Sequence, residues 1–284
     1  MNALTPIQLT DQPDVHDSNA LREWLRQLAI LTRRNLVHIR RQPEQLSGAT
    51  IQPVMFTLLF VYVIGSAVPI PGGGTYTNFA LAGLILLNLS TASTASAVGL
   101  SSDITTGVIT RFRTLPMSPT AILVSRTASD LLNSLLCTMV VIGTGLIVGW
   151  RSSAPVGGIV AGFGIIVVFN YALSWIGVCL GMVVRSAEAA AAFGLIIFLP
   201  LSFLSNALVP TDGMPKALRT FAEWNPLSAV TTAARTMLHN PNPAATSNAW
   251  PLQHPVTASL IWTATILSLS VPLARRLYRR RVLA

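Results

Sequence analysis

Charged residues fall in clusters along this chain, and the stretches between them are apolar. No Asp, Glu, Lys or Arg occurs in the 58 residues between Glu44 and Asp103. Further uncharged runs of 20, 33, 23 and 39 residues separate Asp130 from Arg151, Arg151 from Arg185, Glu188 from Asp212, and Arg235 from Arg275. A helix needs about 20 apolar residues to cross a bilayer core. Pro69-Ile70-Pro71-Gly72-Gly73-Gly74 is a turn signal inside the first run, which therefore holds two crossings. The last run opens with a polar, proline-rich stretch, His239 to Pro255, and holds one. The pattern predicts six spans, near residues 49–68, 79–100, 130–150, 156–183, 188–209 and 256–274.

Composition points the same way. Of 284 residues, 51% are hydrophobic and 10% charged, against about 25% charged in a soluble domain. Too few charges remain to cover a soluble surface, and the chain is too apolar for disorder. The fold class predicted is an all-α integral membrane protein. Arginine placement orients it. Fifteen of the 19 basic residues lie before the first span, between the second and third, between the fourth and fifth, or after the sixth. Arg151, Lys216, Arg219 and Arg235 lie on the other side. Positive charge is retained on the cytoplasmic face, so both termini are expected in the cytoplasm of a multi-pass plasma-membrane protein. The first apolar run starts too far into the chain for a cleaved signal peptide. The net charge of +9 is assigned to anionic lipid headgroups beside the spans and not to nucleic acid.

Three regions surround or interrupt the spans. Residues 1–19 are expected to be a disordered tail. Residues 20–48 carry an amphipathic interfacial helix. Leu21, Trp24, Leu25, Leu28, Leu31, Leu36 and Ile39 share an arc of roughly 140°, opposite Arg22, Arg26, Arg33 and Arg40. Residues 49–284 form the six-span transmembrane body. Inside it, the cytoplasmic segment 103–119 places Arg111 and Arg113 around Phe112, with Leu115, Pro116 and Met117 following. Apolar side chains beside two arginines suit a partner's groove; a plain basic loop is the alternative. Pro116 and Pro119 are expected to end any helix there. On the exterior, 210–238 is too apolar for a solvated loop, with Phe221, Trp224, Leu227, Val230 and Met237. Its charges make a full crossing costly, at about 2.5–3.5 kcal/mol per central charge. A re-entrant or interfacial helical hairpin, broken near Asn225-Pro226, satisfies both facts.

Catalytic and cofactor chemistry has no recognisable motif. No phosphate loop of the G-x-x-x-x-G-K-[ST] type occurs, and the single lysine, Lys216, lies far from any glycine-rich turn. The four histidines have no metal spacing. Cys137 and Cys179 lie in apolar runs and are expected to be buried and unpaired. Asp130 and Glu188 are expected at helix N-termini, where the dipole favours negative charge. With no ion relay at membrane depth and no nucleotide site, a chain like this that moved something would need energy from another subunit.

The run Gly107-Val108-Ile109-Thr110-Arg111-Phe112-Arg113-Thr114-Leu115-Pro116-Met117-Ser118 resembles the signature of permease subunits of type-2 ATP-binding-cassette exporters, nearest the daunorubicin-resistance branch. The stretch Met214-Pro215, Glu223, Asn225-Pro226 and Arg235 is similar to the same branch, although Ala217-Leu218 stands where members often have Trp-Leu. The resemblance implies six spans with inside termini and a coupling helix within 103–119, seated in a separate ATPase. The coupling residues would be Gly107, Arg111, Phe112, Arg113, Leu115, Pro116 and Met117. It implies two ATPase copies that bind ATP and Mg, and a second permease half, identical or related. This chain itself would hold no cofactor and no catalytic site. Candidate pathway residues are Asn88, Ser90, Ser93 and Ser96 in the second span and Ser202, Ser205 and Asn206 in the fifth. Helix packing is the competing role for such small polar residues, as for Gly145-x-x-x-Gly149, Gly158-x-x-x-Gly162 and Gly177-x-x-x-Gly181. A pathway without buried charge suits a hydrophobic or amphipathic substrate, an antibiotic or an envelope lipid. An ion-coupled transporter or a membrane scaffold is the alternative.

Overall fold

A computed structural model describes residues 43–71, 73–106 and 119–283 of the chain. The tail 1–19, most of the amphipathic segment 20–48, and residues 107–118 of the coupling segment lie outside the described residues. Every described regular element is helical: α1 (Pro43–Leu59, continued by a π turn Phe60–Ile64), α2 (Tyr76–Thr105), α3 (Pro119–Val148), α4 (Val156–Val183), α5 (Ala187–Phe203), α6 (Lys216–Trp224), α7 (Pro226–Met237), α8 (Trp250–Gln253) and α9 (Pro255–Leu283). Four of these are long and apolar enough to cross a bilayer: α2, α3 from Arg126, α4, and α9 to Arg280. Two shorter apolar helices, Thr50–Ile64 and Ala187–Phe203, coincide with the first and fifth predicted runs.

Local chemistry sets the ends of these helices. The Thr75 hydroxyl accepts from the Asn78 amide at 3.4 Å and opens α2. Ser186 does the same for the Ala189 amide at 3.1 Å and opens α5, with Glu188 in its first turn as the dipole requires. Gly149, at φ +103°, ends α3, and the Trp150 amide donates back to Gly145 at 2.7 Å. One expectation changes here. Pro119 begins α3, where a proline lacking an amide proton is tolerated. Asp130 consequently lies three turns inside α3 and not at its N-terminus.

Helix α2 is the axis of the bundle. Residues Phe79 to Ser90 are all buried, and α1, α3, α4, α5 and α7 pack around it. A helix apolar on every side must be surrounded by others. The outer helices instead turn Met139, Ile147, Val156, Ile196 and Leu269, all at least 65% exposed, toward the surroundings. In a membrane protein such residues meet lipid tails. Cys137 and Cys179 are buried and unpaired.

Small residues allow the close approaches. A side chain at Gly177 would strike the Ser93 carbonyl, and one at Gly181 the Ala97 carbonyl, so α4 lies backbone-close on α2. Gly158 and Gly162 meet α7 at the Met237 and Ala234 carbonyls and Leu238. The third pair divides its roles: Gly145 receives the Leu81 side chain, whereas a Cβ at Gly149 would meet nothing within 4 Å, and Gly149 serves as the helix stop.

Gly181→Leu should separate α2 from α4 and destabilise the protein by about 1–3 kcal/mol. Gly164→Ala, where an added Cβ meets nothing within 4 Å, should be neutral or slightly stabilising. Thermal melts of the purified protein in detergent will distinguish the two.

Candidate functional site

Polar groups in this apolar bundle collect in three places: the exit of α5, the middle of α2, and the paired ends of α2 and α3. The exit of α5 is the densest. Pro200 sits inside the helix, which ends at Phe203 and continues as an irregular chain, buried from Ser205 to Leu208. Main-chain carbonyls freed there would cost several kcal/mol in a medium without water. Side chains from elsewhere take them up. The Asn225 amide nitrogen donates to the Leu201 and Leu204 carbonyls at 2.7 Å each. Arg235 donates from Nη1 to Asn206 O at 3.0 Å, from Nη2 to Ala207 O at 2.7 Å, and from Nε to Phe79 O at 2.9 Å. The Tyr76 hydroxyl donates to Leu208 O at 3.0 Å.

Helices α6 and α7 supply most of this cradle. Asn225 ends one and caps the other, its Oδ1 accepting from the Leu227 amide at 2.9 Å, and Pro226 occupies the first turn of α7. Arg235 is fully buried, with its guanidinium carbon 3.7 Å from the Phe79 ring centroid. Among the described residues it has no acidic partner; three carbonyl dipoles and an aromatic face surround the charge. Asn206 is tied in turn, its amide proton going to Ser228 Oγ at 2.9 Å and its Nδ2 to Thr232 Oγ1 at 2.8 Å. Glu223 faces the other way. It accepts from Arg219 Nε and from Ser247 Oγ, both at 2.9 Å, and this contact holds the Arg219 pKa above the ordinary arginine value. Met214 closes a short 3-10 turn, and Pro215 caps α6.

The expected pathway residues all lie inside the single chain; none of Asn88, Ser90, Ser93, Ser96, Ser202, Ser205 and Asn206 exceeds 4% exposure. Asn88, Ser90 and Ser202 bond the carbonyl one turn back. Ser205 bonds the carbonyl of Ser202. Ser93 and Ser96 reach across helices. Ser93 Oγ donates to Asn170 Oδ1 at 3.2 Å, Asn170 Nδ2 to Ser134 Oγ at 2.7 Å, and Ser134 Oγ to Asp130 O at 2.8 Å. Ser96 Oγ donates to the Asp130 carboxylate at 2.6 Å. One polar chain thus joins α2, α3 and α4.

Nearer the ends of α2 and α3, Arg126 Nη1 meets Asp103 Oδ2 at 3.0 Å. The guanidinium crosses α2 at Gly99, where any side chain would collide with it. These two helices lead directly into residues 107–118, so Gly107, Arg111, Phe112, Arg113, Leu115, Pro116 and Met117 lie outside the described residues.

Sequence reasoning found Asn225 and Arg235 but not their carbonyl cradle; it missed Tyr76 and the Asp103–Arg126 pair, and it misplaced Asp130. One signal was available. Residues 228–234 of α7 are all small or β-branched, which marks a helix hemmed in on every side and hence a buried Arg235. Among the described residues no group of three or more His, Cys, Asp or Glu could hold a metal ion.

Comparison with known proteins agrees with the sequence motif. Residues 26–239 match the ABC-2 type transporter family. The daunorubicin resistance ABC transporter permease protein DrrB1 of Streptomyces coeruleorubidus is 29% identical over 248 residues, 87% of this chain and 84% of its own. A probable doxorubicin resistance ABC transporter permease protein, DrrC of Mycobacterium tuberculosis, is 25% identical over 260 residues, 90% of each chain. A putative transport permease, ycf38 of Porphyra purpurea, is 25% identical over 241 residues, 84% of this chain and 81% of its own. The chain belongs to the ABC-2 type transporter family and is a multi-pass membrane permease component of an ABC-type transporter.

Replacing Arg235 tests the cradle. Arg235→Ala takes the guanidinium donors from the buried Asn206 and Ala207 carbonyls, at about 1–3 kcal/mol each. Arg235→Lys restores charge but not the planar fork and should recover only part of the loss. Melting temperature in detergent should fall in the order wild type, Lys, Ala, while Lys216→Ala, on exposed α6, should leave it unchanged.

Proposed function

We propose that the chain is one permease half of an exporter that moves a hydrophobic or amphipathic molecule, a drug or a cell-envelope lipid, outward across a bacterial plasma membrane. ATP is hydrolysed, with Mg, in a separate ATPase subunit present in two copies. The second permease half is either a copy of this chain or a relative. The two relatives named for daunorubicin and doxorubicin resistance favour an aromatic, amphipathic drug as the first substrate to try.

In this reading the protein has six spans with both termini inside. Helix α5 has 17 residues, about 25 Å at 1.5 Å per residue. It completes its crossing through the cradled stretch 204–208. Helices α6 and α7 form the outer hairpin, and α6 turns Leu218, Phe221 and Trp224, each 44–54% exposed, toward the outer interface.

The observation that carries this function is the tie between Arg126 and Asp103, joined by Ser96–Asp130 two turns deeper. Both arms of the 107–118 segment are thereby fastened to each other and, through Asn170, to α4. A push on the segment from an ATPase moves two spans as one lever. Arg111, Phe112, Arg113 and Leu115–Met117 form the contact in this scheme. The seven polar residues of α2 and the α5 region reach the substrate only when α5 parts from the tied α2–α3–α4 group. Between the two halves, the pathway then opens from the inner to the outer side.

Daunorubicin transport in vesicles tests the scheme. The chain reconstituted with its ATPase should export the drug on ATP, and the chain alone should not. Arg113→Glu puts like charge into an interface contact and should lower ATP-driven export about tenfold or more. Asp103→Arg should do the same, and the swap Asp103→Arg with Arg126→Asp should recover export. Export driven by a proton gradient without ATP would establish an ion-coupled transporter instead. Full export by Arg113→Glu would remove the docking role.

A further inference from the structure

The inner end of α9 carries charges that neither the bundle nor the proposed coupling scheme uses. At 1.5 Å per residue, the first 20 residues from Pro255 cover about 30 Å, the thickness of the hydrocarbon core. Arg275 therefore falls where the core ends. Arg276, Arg279 and Arg280 follow within about one and a half turns, at headgroup depth. The helix continues to Leu283, so these arginines are displayed at fixed positions and not on a loose tail.

Packing fixes which way they point. Ala274 and Tyr278, buried at 0% and 5%, seat the helix against Leu100, Trp175, Val178 and Met182 of α2 and α4. At 100° per residue, Arg275, Arg276, Arg279 and Arg280 spread over about 140° of the opposite side. All four are exposed. Helix α9 contains no acidic residue. The acids toward the same end of the neighbouring helices are otherwise engaged: Asp103 with Arg126, Asp130 with Ser96, and Glu188 in the first turn of α5. The helix dipole favours cations only within its last turn, which leaves Arg275 and Arg276 unaccounted for.

We propose that the inner end of α9 is a docking surface for anionic phospholipid, whose headgroup phosphate is held by Arg275, Arg276, Arg279 and Arg280. Guanidinium forks match phosphate oxygens bidentately, and basic side chains just past a span gain about 1 kcal/mol each from an anionic leaflet. The arginines face away from the α2 and α3 ends, where the coupling segment is rooted, and this favours lipid over the ATPase as the occupant. The proposal rests on the inward assignment of this helix end.

Spin-labelled phosphatidylglycerol and phosphatidylcholine, compared in vesicles holding the purified chain, provide the test. Wild type should prefer phosphatidylglycerol by about fivefold or more, the value of one arginine at about 1 kcal/mol, and high salt should weaken the preference. The preference should vanish in R275Q/R276Q/R279Q/R280Q and persist in Arg151→Gln. R279Q/R280Q should lie between, which keeps the test open if the fourfold variant does not fold. Equal retention of both lipids by wild type, or an unchanged preference in the fourfold variant, overturns the proposal. So does a wild type without preference whose fourfold variant loses a co-purifying ATPase subunit, because the surface then belongs to that protein. Orientation is read separately: Ala284→Cys should react with an impermeant maleimide only from the inner side, the two native cysteines being buried. Labelling from outside would overturn the inward assignment while leaving the lipid preference measurable.

Discussion

A broken helix inside an apolar bundle must have its main-chain groups satisfied, and much of one half of this protein is arranged around that requirement. Helix α5 stops at Phe203, and the chain beyond it is buried from Ser205 to Leu208. Water cannot repay the freed carbonyls there. Three side chains do so: Asn225 for Leu201 and Leu204, Arg235 for Asn206 and Ala207, and Tyr76 for Leu208. The geometry is mutual. Arg235 could not remain charged in that position without the carbonyls, and the carbonyls could not remain dry without Arg235. Gly83 contributes by absence, since a side chain there would collide with the Ala207 carbonyl.

The same economy runs along α2. Its two ends and its middle are each fastened to a different neighbour. Toward its start, Tyr76 and the Phe79 carbonyl join the α5 exit and α7. In the middle, Ser93 reaches α4 through Asn170. Toward its end, Ser96 and Asp103 reach α3. Between these ties the contacts are apolar and close-packed, with glycines at the α4 crossings. Apolar contacts have little directional preference, and hydrogen bonds have much. The polar ties therefore set the rotation and height of each helix around α2, while the apolar surface supplies the bulk of the packing.

How much of this was legible in the sequence depends on the scale of the feature. Long uncharged runs place the apolar helices because burying twenty residues in lipid leaves an unmistakable composition. Asn225-Pro226 marks the break between α6 and α7 because proline cannot continue a helix and asparagine caps one. Pairings between distant residues leave no such mark. Nothing near Asp103 announces Arg126, 23 positions away, and Gly99 looks like any small residue until the guanidinium that crosses it is seen. Asp130 was misplaced for a related reason. An acidic residue at the start of an uncharged run looks like a helix start, whereas α3 begins eleven residues earlier at Pro119. Seven polar residues of α2, α5 and the stretch just beyond α5 look alike in sequence, yet four bond within their own turn, Ser93 and Ser96 tie α2 to its neighbours, and Asn206 reaches α7. Only the neighbours distinguish them.

These ties bear on how a chain without a recognisable catalytic motif could take part in an energy-driven cycle. A displacement applied at the ends of α2 and α3 would be lost if the two helices slid past each other. The Arg126–Asp103 pair alone is worth little at a partly exposed position. The Ser96–Asp130 bond, at 2.6 Å, is different, because it is mostly shielded from water. With two attachment points two turns apart, relative rotation requires both to break. One would then expect motion to appear where the polar ties are fewest, on the exposed apolar faces of α1 and α5, and to leave the α2–α3–α4 group intact. The cradle at the α5 exit limits that motion from the opposite end, because any shift of α5 carries Asn206 and Ala207 with it and draws on Arg235. The two ends of the bundle are thus linked through α2, and the cost of opening at one is set by polar contacts at the other.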